Sequence, residues 1–210
     1  MKFLSLIFLL VLTNSLSAQW QAITYKDKLT FSFPGPPEIL DTLRTRTYFY
    51  QANDAVLFCN IARDPNPGVI SSAEALETKF DSVIRTIYPR LGNHQDQLSE
   101  TVNFKGVKAR HFKAIADAYQ GFPYFETYTL FIGNEQFQFN ALTKSPESDV
   151  SKKYFDSIRF HDAVTAVDDA TTADSPQSSG NTTNFYLLVG LGIILLIGLV
   201  VFFLRRRKLI

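Results

Sequence analysis

Hydrophobic and polar residues alternate with a period of two along much of the first third of the chain. The first such segment covers residues 29–33, and a Pro-Gly-Pro-Pro turn follows it directly. Two longer segments, 42–51 and 55–63, are separated by three turn-forming residues, Ala-Asn-Asp. A period of two is the side-chain repeat of a β-strand, and so short a connection favours antiparallel pairing. We therefore expect one short strand followed by a β-hairpin.

The hydrophobic repeat changes to helical spacing over residues 73–88. The apolar positions that share one face of this helix are Leu76, Phe80, Val83, Ile84, Ile87 and Tyr88. Ser71 and Glu74 fit a capping box at the start of the segment, and Pro89 predicts its end. The pattern predicts one amphipathic helix.

Four further strand segments follow the helix, at residues 98–104, 107–118, 124–132 and 135–143. Because the connections between them are only a few residues long, we expect a meander within one antiparallel sheet. A helix that starts at Ser145-Pro146-Glu147 and a last short strand, 157–160, complete the pattern. The predicted fold class is therefore α+β, an antiparallel sheet flanked by two helices.

Two short segments carry a family resemblance. They are Leu-Thr-Phe-Ser-Phe-Pro-Gly-Pro-Pro at 29–37 and Tyr-Phe-Asp-Ser-Ile-Arg-Phe at 154–160, with the middle helix and the meander between them. In this order of elements the chain resembles the PsbP-like (Mog/PsbP-like) superfamily over most of residues 19–162. The resemblance implies an α/β/α sandwich, used by many exported bacterial proteins of unknown role. It implies no activity, because no functional residue of the family matches a position of this sequence.

The N-terminal end of the chain predicts export. Lys2 is followed by a short apolar run and a small-polar segment, which is typical of a cleaved signal peptide over residues 1–18. Cleavage after Ser17 fits the small-residue rule better, although we prefer cleavage after Ala18, which leaves Gln19 first. The alternative is an uncleaved N-terminal anchor, which would put both termini in the cytoplasm.

The C-terminal end predicts a membrane anchor. Residues 185–204 form an uncharged stretch of 20 residues, long enough as a helix to span the roughly 30 Å hydrocarbon core of a bilayer. The basic tail, residues 205–210, is expected to remain in the cytoplasm. Residues 19–162 would then be the extracytoplasmic domain of a single-pass protein of the cell membrane.

A flexible linker is predicted between this domain and the anchor, over residues 163–184. The segment is rich in Ala, Thr, Asp and Ser and has no aromatic residue and no cation, so it cannot bury enough apolar surface to fold. A random coil of about 22 residues has an average reach of roughly 25 Å. The domain is therefore expected to stay close to the bilayer.

Charge, cysteine usage and motifs narrow the classes of function. Five of the 21 cations lie in the two end segments, whereas all 20 anions lie between those segments, so the exported part has no basic footprint for nucleic acid. Cys59, the single cysteine, alternates with Leu57 and Ile61 and is expected in the core. The three histidines lack the spacing of a metal site, and no nucleophile elbow or phosphate loop occurs. The sequence therefore predicts no cofactor and no metal.

The candidate binding site is the aromatic turn with Tyr119, Phe122 and Tyr124. Aromatic side chains exposed at a hairpin tip can anchor a partner through a large buried area. The alternative is that Phe122 folds back onto the edge of the sheet.

The main functional hypothesis is a non-enzymatic, membrane-tethered domain that binds an envelope protein or a small ligand. One alternative is an enzyme whose site is assembled from Glu126, His111 and Asp117. Another is a surface protein whose C-terminal end is a sorting signal that is removed. Gly190 and Gly198 share one face of the anchor helix, which also leaves open a homodimer through the anchor.

Overall fold

The computed structural model describes residues 20–63, 70, 72–117, 119 and 121–161. The predicted signal peptide, linker, anchor and basic tail lie outside this part of the chain. The strands are β1 (Gln21–Tyr25), β2 (Leu29–Phe33), β3 (Glu38–Asp41), β4 (Thr45–Gln51), β5 (Ala55–Arg63), β6 (His94–Phe104), β7 (Val107–Ala116), β8 (Tyr124–Ile132), β9 (Glu135–Thr143) and β10 (Arg159–Phe160). The helices are α1 (Ala73–Leu91) and α2 (Asp149–Ser157). Neither of these two helices is long and apolar enough to cross a membrane.

The described strands form two antiparallel sheets. The larger sheet has seven strands in the order β3-β4-β5-β9-β8-β7-β6, and the smaller sheet has three in the order β1-β2-β10. Helix α1 packs on one face of the larger sheet, whereas α2 and the smaller sheet cover the opposite face. The predictions of antiparallel strands, two helices and a four-stranded meander from β6 to β9 are confirmed.

The core between the two sheets is aromatic. Phe31 of β2 lies edge-to-face against Tyr48 and Phe139, with ring centroids 5.4 and 5.6 Å away. Phe33 of β2 stacks on Tyr154 of α2 at 5.3 Å. All five rings are buried, so the removal of their large apolar area from water fixes the smaller sheet and α2 on this face. Cys59 is fully buried in the same core, as predicted.

Helix α1 begins at Ala73, as predicted, but its N-cap and its last residue differ from the prediction. Its N-cap is Ser72, whose hydroxyl accepts a hydrogen bond from the Ala75 amide at 3.1 Å. The prediction that Pro89 ends the helix is wrong, because the helix continues to Leu91. Leu91 is fully buried against the sheet, and this packing outweighs the hydrogen bond that proline removes. Gly92 then ends the helix with a φ of 68°.

The first half of the chain differs from its prediction in three places. Strand β1, which the sequence pattern does not predict, pairs with β2 along its whole length. Strand β3 is not predicted either, and the predicted strand 42–51 starts three residues late, because β4 begins at Thr45. The Thr42 hydroxyl accepts a hydrogen bond from the Thr45 amide at 3.0 Å, which stabilises a turn in place of extended backbone.

The remaining elements match their predictions except at their ends. Strand β6 begins at His94, β7 ends at Ala116, and Ser157 belongs to α2 and not to the last strand. Helix α2 begins after the N-cap Ser148, whose hydroxyl accepts a hydrogen bond from the Ser151 amide.

The substitution Tyr154→Phe is expected to leave the stability unchanged or to raise the free energy of unfolding by about 1 kcal/mol. The Tyr154 hydroxyl is buried and, among the described residues, has no hydrogen-bond partner. Phenylalanine keeps the ring stacked on Phe33 and removes the cost of burying the unpaired hydroxyl. Urea unfolding of both proteins measures the difference. A loss of more than about 1 kcal/mol would show that the hydroxyl has a partner in solution.

Candidate functional site

Glu135 is a buried carboxylate at one end of the larger sheet. Its side chain is 2% exposed and lies at the start of β9. It accepts hydrogen bonds from the ammonium groups of Lys26 and Lys28, both at 2.6 Å, and from the Tyr25 hydroxyl at 2.8 Å. These donors lie at the end of β1 and in the β1–β2 turn of the smaller sheet, so the contact joins the two sheets at this end of the domain.

The surrounding cations keep Glu135 ionised. Burial raises the pKa of the Glu135 carboxyl, but the hydrogen bonds from Lys26, Lys28 and Tyr25 outweigh burial and lower that pKa to about 2. Arg63, which is opposite Glu135 in β5, adds a further positive charge, with Nε 3.6 Å from the carboxylate. At neutral pH the carboxylate therefore fixes the two ammonium groups in place.

The turn between β3 and β4 lies beside this cluster. The Thr42 amide donates to the Thr45 carbonyl at 2.8 Å, which closes the turn. The Arg44 carbonyl accepts a hydrogen bond from the Arg63 amide at 3.0 Å, which ties the turn to the end of β5. The hairpin therefore has a fixed position next to the β1–β2 turn.

The β1–β2 turn, the β3–β4 hairpin and the end of β5 line a pocket of about 300 Å³ that is open to solvent. The cations that line it are Lys26, Arg44, Arg46 and Arg63. The lining has one carboxylate, Asp41, so positive charges still exceed negative ones when the neighbouring Glu135 is counted. We call this site the basic pocket. A concave site with this charge balance favours an anion.

Arg44 and Arg63 are the pocket cations whose guanidinium groups are available to bind a ligand. Arg46 already makes a bidentate pair with Asp41, and Lys26 donates a hydrogen bond to Glu135 at 2.6 Å. Arg63 also faces Glu135, but its 3.6 Å contact is too long for a hydrogen bond and leaves its donors available. The Arg63 side chain is 61% exposed. Among the described residues, the exposed Arg44 guanidinium has no hydrogen-bond or ion-pair partner. The guanidinium fork suits carboxylate and phosphate groups, so these two residues are the candidate ligand contacts.

The aromatic turn predicted as a binding site lies at the other end of β8. Phe122 is buried in the core under α1, where it takes the position that the sequence left open as the alternative. Tyr119 and Tyr124 are half-buried. The turn therefore presents no exposed phenylalanine, and a binding role for the two tyrosines stays a prediction.

Two of the three residues predicted for an enzyme site come together. His111 Nε2 lies 2.8 Å from the Glu126 carboxylate, and Tyr128 stacks on the His111 ring with 4.1 Å between centroids. Asp117 lies elsewhere, because its carboxylate accepts hydrogen bonds from the Asn93 amide and side chain at 2.9 and 2.8 Å.

The His111–Glu126 pair is a cross-strand contact between β7 and β8. Burial raises the pKa of the Glu126 carboxyl, but contacts with His111 and Lys113 outweigh burial and hold that pKa below its usual range. A general base needs a pKa near the working pH, so this shift does not favour Glu126 as a base. The pair does not line the basic pocket. In the part of the chain that the structure describes, no group of three His, Cys, Asp or Glu residues is placed to hold a metal.

Sequence reasoning missed the basic pocket. The donors to Glu135 lie between 107 and 110 residues away in the chain. The local pattern at Gly133-Asn134 predicts only a turn and the start of a strand. The pair Lys26 and Lys28, on either side of Asp27, was a sequence signal for a cluster of positive charge. It could not be placed next to Glu135, because the pattern predicts no strand β1 and therefore no β1–β2 turn.

Comparisons with known proteins found no matching family model and no matching curated protein. A solved structure of PsbP from the cyanobacterium Synechocystis is similar at 13% identity, with a TM-score of 0.47, over 69% of this chain and 94% of that one. A protein from Bacteroides thetaiotaomicron is similar at 8% identity, with a TM-score of 0.41, over 69% and 50%. A protein of unknown function from Pseudomonas aeruginosa is similar at 9% identity, with a TM-score of 0.34, over 59% and 82%. At these TM-scores the likenesses carry no functional argument.

Proposed function

We propose that this chain is a membrane-anchored extracytoplasmic protein whose PsbP-like domain binds an anionic ligand, without catalysis, in the basic pocket. The observation that carries the proposal is the charge of the lining, with four cations and one carboxylate around about 300 Å³. Export and anchoring are supported by the sequence of residues 1–18 and 185–204. The PsbP-like assignment is supported by the order of the elements and the segments 29–37 and 154–160.

The side chains of the pocket favour binding over reaction. Guanidinium and ammonium groups supply donors for carboxylate or phosphate oxygens. Asp41, the carboxylate in the lining, is occupied by Arg46, and no histidine or cysteine belongs to the described lining. We therefore expect the ligand class to be a carboxylate or phosphate group, whether it belongs to an envelope partner or to a small molecule.

Binding of inorganic pyrophosphate to the full-length protein in uncharged detergent, measured by isothermal titration calorimetry at low salt, tests this proposal. The double variant Arg44→Gln/Arg63→Gln is expected to bind pyrophosphate at least about tenfold more weakly, because each charge-assisted hydrogen bond contributes roughly 1.5–3 kcal/mol. Raising the salt concentration is expected to weaken the binding of pyrophosphate to the wild type, since Arg44 and Arg63 are exposed and salt screens their charges.

The matched control is Lys79→Gln/Arg85→Gln on α1, which makes the same change of charge on the opposite face of the larger sheet. We expect its affinity to stay within about twofold of the wild type, because neither residue lines the pocket and charges that are well separated from a site affect binding little in the presence of salt. Equal losses in both variants would contradict a specific site. Wild-type protein that binds no pyrophosphate would contradict the proposed function itself.

A further inference from the structure

We propose that the end of the domain with the basic pocket docks on anionic phospholipid headgroups of the membrane that anchors the chain. The proposal rests on the proposed function, from which it takes the anionic class of ligand, and it names the source of that anion. Three features of this end of the domain support it: the position of the last described residue, an exposed leucine and the local excess of positive charge.

The chain leaves the described domain at this end. The amide of His161 donates to the Lys28 carbonyl at 2.9 Å, and its ring nitrogens lie 3.0 Å from the Thr30 hydroxyl and 3.1 Å from the Asp27 carbonyl. His161 therefore lies on the β1–β2 turn, which supplies Lys26 to the pocket. The predicted linker starts two residues later in the sequence. An anchor connected here favours the basic end, and not the aromatic turn, as the end nearest the bilayer.

The linker alone does not fix this orientation. A coil of about 22 residues with a reach of roughly 25 Å lets a small domain rotate. The surface of the domain must therefore supply the interaction that selects one orientation.

Leu43 supplies an apolar contact. Its relative exposure is 101%, and Ile39, in β3 of the same hairpin, is 55% exposed. Among the large hydrophobic side chains of the described residues, these two are the most exposed. The turn is held by the hydrogen bonds of Thr42 and Arg44, so Leu43 is presented to solvent by a fixed backbone. An apolar side chain at such a tip can enter the boundary between headgroups and acyl chains.

Cations share the lining of the basic pocket with this leucine. Leu43 lines the same pocket as Lys26, Arg44, Arg46 and Arg63. A protruding apolar residue with cations nearby binds an anionic bilayer in two ways. The apolar side chain is buried in the bilayer, and the cations are attracted to the lipid phosphates. The positive charge of this end is not a result of general basicity, because the described residues have 16 cations and 15 anions. This end therefore has a local excess of positive charge in a domain that is close to neutral, which suits anionic headgroups.

Tryptophan fluorescence of the full-length protein in nanodiscs tests the docking. The reporter is Leu43→Trp in a Trp20→Phe background, and the quencher is phosphatidylcholine with brominated acyl chains. We expect a blue-shifted, quenched emission in discs that also contain phosphatidylglycerol, and much less quenching in discs of phosphatidylcholine alone. Adding Arg44→Gln and Arg63→Gln to the reporter is expected to weaken docking about fivefold for each lost cation.

The wild-type protein provides a matched control, because Trp20 is its single tryptophan. Trp20 precedes β1 and lies roughly 17 Å from the β1–β2 turn at the rise of an extended strand. Its emission should not be quenched in either kind of disc. Circular dichroism of each variant checks that the fold is retained.

Each other outcome overturns the inference. Pyrophosphate binding without quenching in anionic discs would leave the proposed function intact and exclude docking on the membrane. If neither pyrophosphate binding nor quenching is observed, the proposed function is overturned together with the inference. Equal quenching in the two kinds of disc would show that headgroup charge does not direct docking. A chain that does not enter the discs would overturn the inference together with the predicted anchor.

Discussion

Replacing Glu135 by glutamine is expected to lower the free energy of unfolding at pH 7 by about 2–3 kcal/mol. The substitution removes the negative charge that Lys26 and Lys28 contact at 2.6 Å, and it leaves these cations and Arg63 to repel one another. The loss should stay below the roughly 3–5 kcal/mol found for fully buried pairs, because the two lysine side chains keep 42% and 31% of their exposure. Urea unfolding of the two proteins at pH 7 measures the change.

The pH dependence of this difference tests its electrostatic origin. The pKa of Glu135 is about 2 in the folded protein and 4.5 in its usual environment, so between these values the unfolded chain binds more protons than the fold. The stabilisation is therefore complete above the usual pKa and is lost as the pH falls from 4.5 toward 2. We expect the wild type and Glu135→Gln to differ by a constant amount from neutral pH to about pH 5 and to converge below it. If the two proteins still differ in free energy of unfolding at pH 2, the loss in Glu135→Gln comes from the change of side-chain shape and not from the lost charge.

A matched control is the exposed ion pair of α2. Asp156→Asn also replaces a carboxylate by an amide, and its partner Lys152 lies one helical turn away with both side chains largely in solvent. Exposed pairs of this kind contribute little, so we expect a much smaller loss of stability. A loss as large as that of Glu135→Gln would contradict the role assigned to burial.

The sheet meander could be predicted from local patterns. Strands β8 and β9 have the predicted bounds, because alternation runs unbroken on both sides of the Gly133-Asn134 turn. Strand β1 could not be predicted, since only Tyr25 of its five residues is buried and the strand is formed by pairing with β2. The turn after Asp41 was equally hidden, because it depends on a hydrogen bond between Thr42 and Thr45 in place of glycine or proline.

The candidate site depends on tertiary packing more than the strands do. The cations of the basic pocket come from the β1–β2 turn, the β3–β4 hairpin and the end of β5. Only the packing of the smaller sheet on the larger one brings these segments together, and no spacing in the sequence records it. At the aromatic turn the pattern left two positions open for Phe122, and only the packing of the core decides between them: Phe122 is buried in the same cluster as Leu142.

The packing between the sheets leads to the prediction with the largest effect. Phe31→Ala is expected to lower the free energy of unfolding by about 3–5 kcal/mol, the range for phenylalanine truncated in a core. Phe31 is the central residue of β2 and has no exposed surface. Its ring contacts Tyr48 of β4 and Phe139 of β9, so truncation opens a cavity between the two sheets. Urea unfolding at neutral pH measures the loss.

The control Ile39→Ala removes an apolar side chain from the edge strand β3, where 55% of the residue is exposed. Its free energy of unfolding is expected to stay within about 0.5 kcal/mol of the wild-type value, as for most surface substitutions. Because β1 and β10 pair only with β2 among the described strands, the cavity at Phe31 should weaken the attachment of the whole smaller sheet. Hydrogen exchange in Phe31→Ala should therefore rise in β1 and β2 before it rises in β8 and β9. A uniform rise in all four strands would contradict a separate attachment of the smaller sheet, and a loss below about 1 kcal/mol would contradict the packing described for Phe31.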